Sequence, residues 1–210
     1  MEKTAKILSR VFSPLIVPSI AIAIALWGTP LVITPDFVKV KVVAMTLLIT
    51  GAIPAIGIAI LYHLHRVSDA TISNPKERTI PFVICVVCYM GEAYYLMSIH
   101  APIWLCNFIL SAMMAIIIVM AINIFWKISG HTCALGGLVG LSAWLVANNL
   151  ALPWMISVVI FAIILTGLVG SARMIRGLHD LPQVVAGAIL GFLAVYFLPN
   201  LFTRFIEYSL

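Results

Sequence analysis

Seven apolar runs, separated by short polar links, leave this chain little choice of environment. They lie at about 11–33, 40–62, 80–98, 103–126, 133–150, 153–171 and 183–199. Each falls within the roughly 17–25 residues that a helix needs to cross about 30 Å of hydrocarbon. Only 9% of the 210 residues are charged, against about 25% in a soluble domain, so the chain cannot cover a water-facing surface. The expected fold class is all-α, a polytopic membrane helix bundle with six to seven transmembrane helices, forming a single integral membrane domain over residues 1–210. Pro14 and Pro18 predict that the first run is bent or partly re-entrant. Lys3, Lys6 and Arg10 ahead of it imitate a signal peptide, but the run is longer than a signal core, and a retained helix is expected.

The links alternate in character. Thr34–Lys39, Ser98–Pro102 and Ala151–Pro153 are bland, whereas His63–Thr79, Lys127–Thr132 and Ala172–Pro182 hold nearly all the chemistry. Pairs of spans separate successive rich links, so all three emerge on one face of the membrane. Gly136 with Gly140, and Gly187 with Gly191, have the spacing that lets helix backbones approach closely in lipid. The acidic residues Glu2, Asp36, Asp69, Glu77, Glu92, Asp180 and Glu207 are scattered. Magnesium-bound diphosphate needs clustered carboxylates, which argues against a metal-dependent prenyltransferase. Cys85 and Cys88 share a helix face without further ligands at their depth, and read as packed, reduced thiols. No metal and no cofactor are expected.

Recognition of phosphate without a metal needs fixed cations and backbone donors. The rich face offers Lys76, Arg78, Lys127, Arg173 and Arg176, with Arg66 nearby. Arginine's planar fork can donate two parallel hydrogen bonds to phosphate. Ser129 and Gly130, directly before a helix, add a hydroxyl and free N–H groups at the positive end of the helix dipole. His131 and His179 are then available for nucleophilic and acid–base work, provided that the fifth and seventh spans pack together. The bland alternative is interfacial anchoring by snorkelling side chains, the preferred reading for His63, His65 and His100. Trp104, Trp126, Trp144 and Trp154 read as an aromatic belt. Glu92, inside the third span, reads as a packing contact with Asn107 as a candidate partner; an ion-coupled carrier is the functional rival.

These residues resemble the type-2 phosphatidic acid phosphatase superfamily, which shares a core with vanadium haloperoxidases. Its motifs run K-x(6)-R-P, then P-S-G-H, then S-R-x(5)-H-x(3)-D. The second stands here as Ile128-Ser129-Gly130-His131, and the third as Arg173 with five residues before His179. The first is represented by Arg78 within Lys76-Glu77-Arg78-Thr79-Ile80-Pro81. Thr71 stands at the first motif's lysine, Ala172 follows Ser171 where a serine is usual, and Gln183 replaces the aspartate. Asp180 and Asp69 are candidates for a substitute charge.

The resemblance implies a membrane lipid phosphatase with a phosphatase-like core at about 63–199. It would hydrolyse a lipid phosphate monoester or diphosphate through a phosphohistidine. His179 would be the nucleophile, His131 the acid and base, and Gln183 the residue that orients His179. Lys76, Arg78, Ser129, Gly130 and Arg173 would hold the phosphate. The alternative is a catalytically impaired lipid-phosphate binder or transporter. Expected partners are the bilayer and its lipid phosphate, with no nucleic acid, and oligomeric state is left open. The chain is expected in the cell membrane of a bacterium. Lys39, Lys41 and Arg204 oppose nine basic residues on the rich face, but five of those nine are substrate candidates. The family often places its site on the outer side, and that orientation is expected.

Overall fold

The computed structural model describes residues 2–68 and 77–209, with side chains described as far as Thr203. These residues form eight helices: α1 Glu2–Val11, α2 Val17–Gly28, α3 Asp36–His63, α4 Thr79–Ser98, α5 Ile103–Asn123, α6 Gly130–Ala147, α7 Met155–Ile175 and α8 Leu181–Ser209. Six of them, α3 to α8, are long and apolar enough to cross a membrane. Their outward faces carry side chains such as Ile56, Val87, Ile160, Phe161 and Ile163, each at least half exposed in the isolated chain. Apolar area of that extent is stable only against hydrocarbon.

The first expected span is the one that differs. Its regular helix is only α2, and the chain breaks between α1, which lies ahead of the expected run, and α2, because Pro14 has no amide hydrogen for a helical bond and restricts the residue before it. The two pieces together still run the depth of the bundle. Ser9, in α1, bonds to His131 at the start of α6, and the Gly28 carbonyl, at the end of α2, accepts from Leu152 beyond the end of α6. Residues buried on α2, Ile22, Ala25 and Leu26, pack against α3, α4 and α5. The break is thus enclosed by protein, as non-helical backbone at membrane depth must be. In α3, Pro54 cannot donate to the Thr50 carbonyl, and the helix widens into a π turn over Leu47–Ala52.

Helix α6 lies at the centre. It meets α8 along a seam of glycines whose backbones touch. A Cβ on Gly191 would fall 1.9 Å from the Cys133 carbonyl oxygen, and one on Gly136 2.1 Å from that of Ala188. Gly140 and Gly187 sit against Phe192 and Ser129 in the same way. The expectation of close approach at both glycine pairs holds, and the pairs face each other.

Two expectations fail. Trp144 is not in an interfacial belt: it is 6% exposed, packs edge-on to Phe108, stacks on Trp104, and donates through Nε1 to Asn200 Oδ1 at 2.9 Å. Glu92 is fully buried, but its partner is the Thr46 hydroxyl at 2.7 Å and not Asn107. Asn107 instead donates to the Pro199 carbonyl and to Thr203. All four cysteines are free thiols.

Candidate active site

Three helix N-termini, those of α4, α6 and α8, gather on one face of the bundle, and local sequence makes each of them. Arg78 stands immediately before α4. Ser129, in extended conformation, caps α6, its hydroxyl accepting from the Thr132 amide at 3.4 Å. The link to α8 is the tightest. At the end of α7, Gly177 takes φ +62°, its amide donates to the Met174 carbonyl, and the Leu178 amide donates to that of Arg173. This paired closure stops a helix in one residue and needs a left-handed position that glycine fills without strain. Asp180 then starts α8, its carboxylate accepting from the Gln183 amide at 3.4 Å, as suits a helix N-terminus.

Backbone bonds tie these ends together. The Ser129 amide donates to the Gln183 carbonyl at 3.2 Å, and the Thr132 hydroxyl donates to that of Val184 at 2.8 Å. Arg78 joins them from the other side: its Nη1 donates to Asn123 Oδ1 at 3.3 Å and to the Ile128 carbonyl at 3.5 Å. Arg78, Arg173 and His179 are 8%, 5% and 8% exposed, so two guanidinium groups and an imidazole share a nearly dry space. Buried charges normally find partners, yet Arg173 Nε has none.

His179 Nδ1 lies 2.9 Å from Gln183 Oε1. An amide oxygen only accepts, so Nδ1 carries the hydrogen and Nε2 keeps its lone pair. Burial pushes the imidazole down to about 4; the Gln183 bond opposes this, while the charges of Arg173, Arg78 and Lys127 add to it. It is therefore neutral at pH 7. Lys127 is lowered as well, by burial first and then by Arg78 and Arg173, which places its ammonium in the same cationic group. His131 Nε2 lies 3.1 Å from the Ser9 carbonyl, with the charges of Arg173 and Arg176 and the ring of His179 facing it.

Arg78, Ser129, Gly130, His131, Arg173, His179 and Gln183 are thus brought to one place. Lys76 lies outside the described residues, as do Thr71 and Asp69. Asp180 is exposed and occupied at the start of α8, and Ser171 is exposed while Ala172 is buried, so neither Asp180 nor Ser171 makes good the departure it was matched to. Ser129 is fully buried, and its hydroxyl also serves as the helix cap. Nothing lies within 4 Å of a Cβ on Gly130, so the start of α6 borders open space. Sequence reading passed over Asn123, Thr132 and Ser9; only Thr132, following the second motif directly, carried any positional signal.

Beneath the site, an apolar cavity of about 140 Å3 runs between α2, α4, α5 and α6. Gly130, Pro14 and Phe82 line it near the helix N-termini of the site, with Tyr89 and Leu141 further along α4 and α6. From Gly130 to Leu141 along α6 is a depth of about 16 Å at 1.5 Å per residue. Among the described residues, no three His, Cys, Asp or Glu side chains are grouped as metal ligands would be.

No curated protein and no solved structure matches the chain. The model of the PAP2 superfamily does match, over residues 123–207, the segment from Asn123 through both histidines and the glycine seam. That match bears out, over this segment, the resemblance to the type-2 phosphatidic acid phosphatase superfamily.

Proposed function

We propose that the chain is a metal-independent phosphatase acting on the phosphate monoester or diphosphate of a membrane lipid, through a phosphohistidine. The match to the superfamily model over residues 123–207 supports a phosphatase in general. The observation that carries the finer reading is the neutral His179, its Nδ1–H held by Gln183, beside buried Arg78 and Arg173. In this reading, Nε2 attacks phosphorus as the lipid oxygen departs with a proton from His131. Water then attacks the phosphohistidine, the N–P bond breaks, and His131 takes up the water's proton. Arg78, Arg173, Ser129 and Gly130 hold the phosphate oxygens, with Lys76 assigned to them by its sequence position. Developing charge on those oxygens is what such donors stabilise.

The cavity below Gly130 supports a lipid in place of a soluble ester, since an apolar chain can descend from the phosphate into it. Scattered carboxylates support chemistry without a metal. We place the chain in a bacterial cytoplasmic membrane with the site on its outer face and the phosphatase-like core at about 63–199. A competing reading, a lipid-phosphate binder or transporter without turnover, draws on the neutral Gln183 in place of a carboxylate. Purified protein given phosphatidic acid, phosphatidylglycerol phosphate and polyprenyl diphosphate separates the two. Phosphate release that His179→Ala and His131→Ala abolish is the expected result. Saturable binding with no release from any lipid at any pH would overturn it.

A further inference from the structure

Helix α1 lies outside the segment that matches the superfamily, yet it touches the site. Ala5, Leu8, Ser9 and Phe12 form its inward face, at the i, i+3, i+4, i+7 spacing of one helical stripe. Leu8 and Phe12 pack on Leu135, Leu138, Leu165 and Val169 of α6 and α7. Lys3, Lys6, Ile7, Arg10 and Val11 face outward. Ser9 is 4% exposed, and its carbonyl reaches His131 Nε2 at 3.1 Å. That carbonyl belongs to the last turn of α1, where the four final carbonyls lack intrahelical partners. The chain turns away at Ser13-Pro14, and the imidazole takes the vacant acceptor. The Ser9 hydroxyl is also buried without a partner, so burial of Ser9 brings α1 no bond from its side chain.

We propose that α1 supplies the positioning group for His131, with the Ser9 carbonyl doing for this histidine what Gln183 does for His179. A carbonyl only accepts, so Nε2 carries the hydrogen and Nδ1 becomes the atom that exchanges a proton. In the first step, a monoanionic phosphate ester hands its proton to the Nδ1 lone pair, which passes it on to the lipid oxygen as the P–O bond breaks. In the second, the Nδ1 lone pair takes a proton from the water that displaces His179 from phosphorus. That proton then leaves with the released phosphate, Nδ1 regains its lone pair, and no other reactant is required. Ser9 is a positioning residue that acts through its backbone, not a catalytic one. This role rests on the phosphatase reading; the hydrogen bond and tautomer that underlie it do not.

The test combines a spectroscopic and a kinetic readout on the full chain in lipid vesicles. Nitrogen-15 NMR of histidine-labelled protein, assigned with His131→Ala, is expected to show His131 with its hydrogen on Nε2. Ser9→Phe, which fills a buried position, and Leu8→Ala with Phe12→Ala, which loosens the anchor, are expected to weaken that state. An Nδ1–H tautomer in the wild type overturns the proposal even if no substrate is ever turned over. The kinetic readout uses leaving groups of different basicity. An alkoxide needs a proton as it departs, whereas nitrophenolate does not. The α1 variants are expected to release alcohol from a long-chain alkyl phosphate about 10²-fold more slowly, while keeping the first-turnover burst of nitrophenolate from p-nitrophenyl phosphate. An equal fall on both substrates in a variant that keeps its thermal stability, or a rise in activity, would show α1 to be only structural or a cover, and would overturn the proposal. Absence of phosphate release from either substrate in the wild type would strike the phosphatase reading instead, with the tautomer still deciding the His131 contact.

Discussion

Replacing Gln183 by glutamate tests the chemistry of the site with almost no change in shape. The amide oxygen already lies 2.9 Å from His179 Nδ1, so a carboxylate oxygen can take its place. Wild-type His179 is held at about 4, mainly by burial, with neighbouring cations contributing. A full negative charge at this distance favours the imidazolium. Opposite charges this close move a titrating group by about 1–3 units, so the group should rise to about 5–7. The Coulomb ceiling of about 4 kcal/mol at 4 Å and an effective dielectric constant of 20 is consistent with that range at about 1.4 kcal/mol per unit. The assay is the pH profile of kcat/KM, which reports ionisations of the free enzyme. Both proteins would be measured on one substrate, so that its own ionisation cancels. In the wild type, the acid limb attributable to His179 is expected near pH 4. In Gln183→Glu it moves upward, and turnover at pH 8 rises by about 10-fold as the carboxylate stabilises positive charge on the attacking ring. An acid limb that stays in place would refute the assignment of His179 and Gln183 as a working pair.

Three further outcomes follow from particular contacts. Gly191→Ala puts a methyl group against the Cys133 carbonyl and is expected to destabilise the bundle by about 1–3 kcal/mol, read as a lower melting temperature in detergent, whereas Gly130→Ala, with open space beside it, should melt like the wild type. Because His179 is held near 4 when folded against 6.5 ordinarily, the unfolded chain binds the extra proton first. The associated stability is full above pH 6.5 and falls as pH drops to 4, by at most about 3 kcal/mol at about 1.4 kcal/mol per unit; thermal melts of the wild type and His179→Asn across that range check it. Glu92→Gln keeps an amide oxygen for the Thr46 hydroxyl, so phosphate release should be unchanged, and loss of release would give Glu92 a functional role.

What the sequence discloses follows the range of each interaction. Six spans are legible because each needs only its own run of apolar residues, and the same-face argument survives the broken first span, since α1 and α2 together still traverse the bundle. The Arg173-to-His179 spacing is legible because Gly177 and Asp180 end one helix and begin the next within a few residues. The glycine seam is legible as a tendency, but its partners are not: Gly136 and Gly191 meet the backbones of Ala188 and Cys133, far apart in the chain. Contacts that depend on tertiary placement gave no signal. Trp144 looks interfacial by position but is drawn inward by Phe108 and Asn200. Glu92 pairs with Thr46 across α3 and α4. No periodicity could reveal that a carbonyl at Ser9 would reach His131, because a backbone acceptor has no letter of its own.

The most direct test is to look for the covalent intermediate itself. Protein mixed with a phosphorus-32-labelled lipid phosphate, quenched in alkali and digested, should yield an acid-labile label on the peptide containing His179, with more of it in His131→Ala given p-nitrophenyl phosphate, whose leaving group needs no proton. Steady turnover with His179 never phosphorylated, or with the label on another residue, would contradict the account.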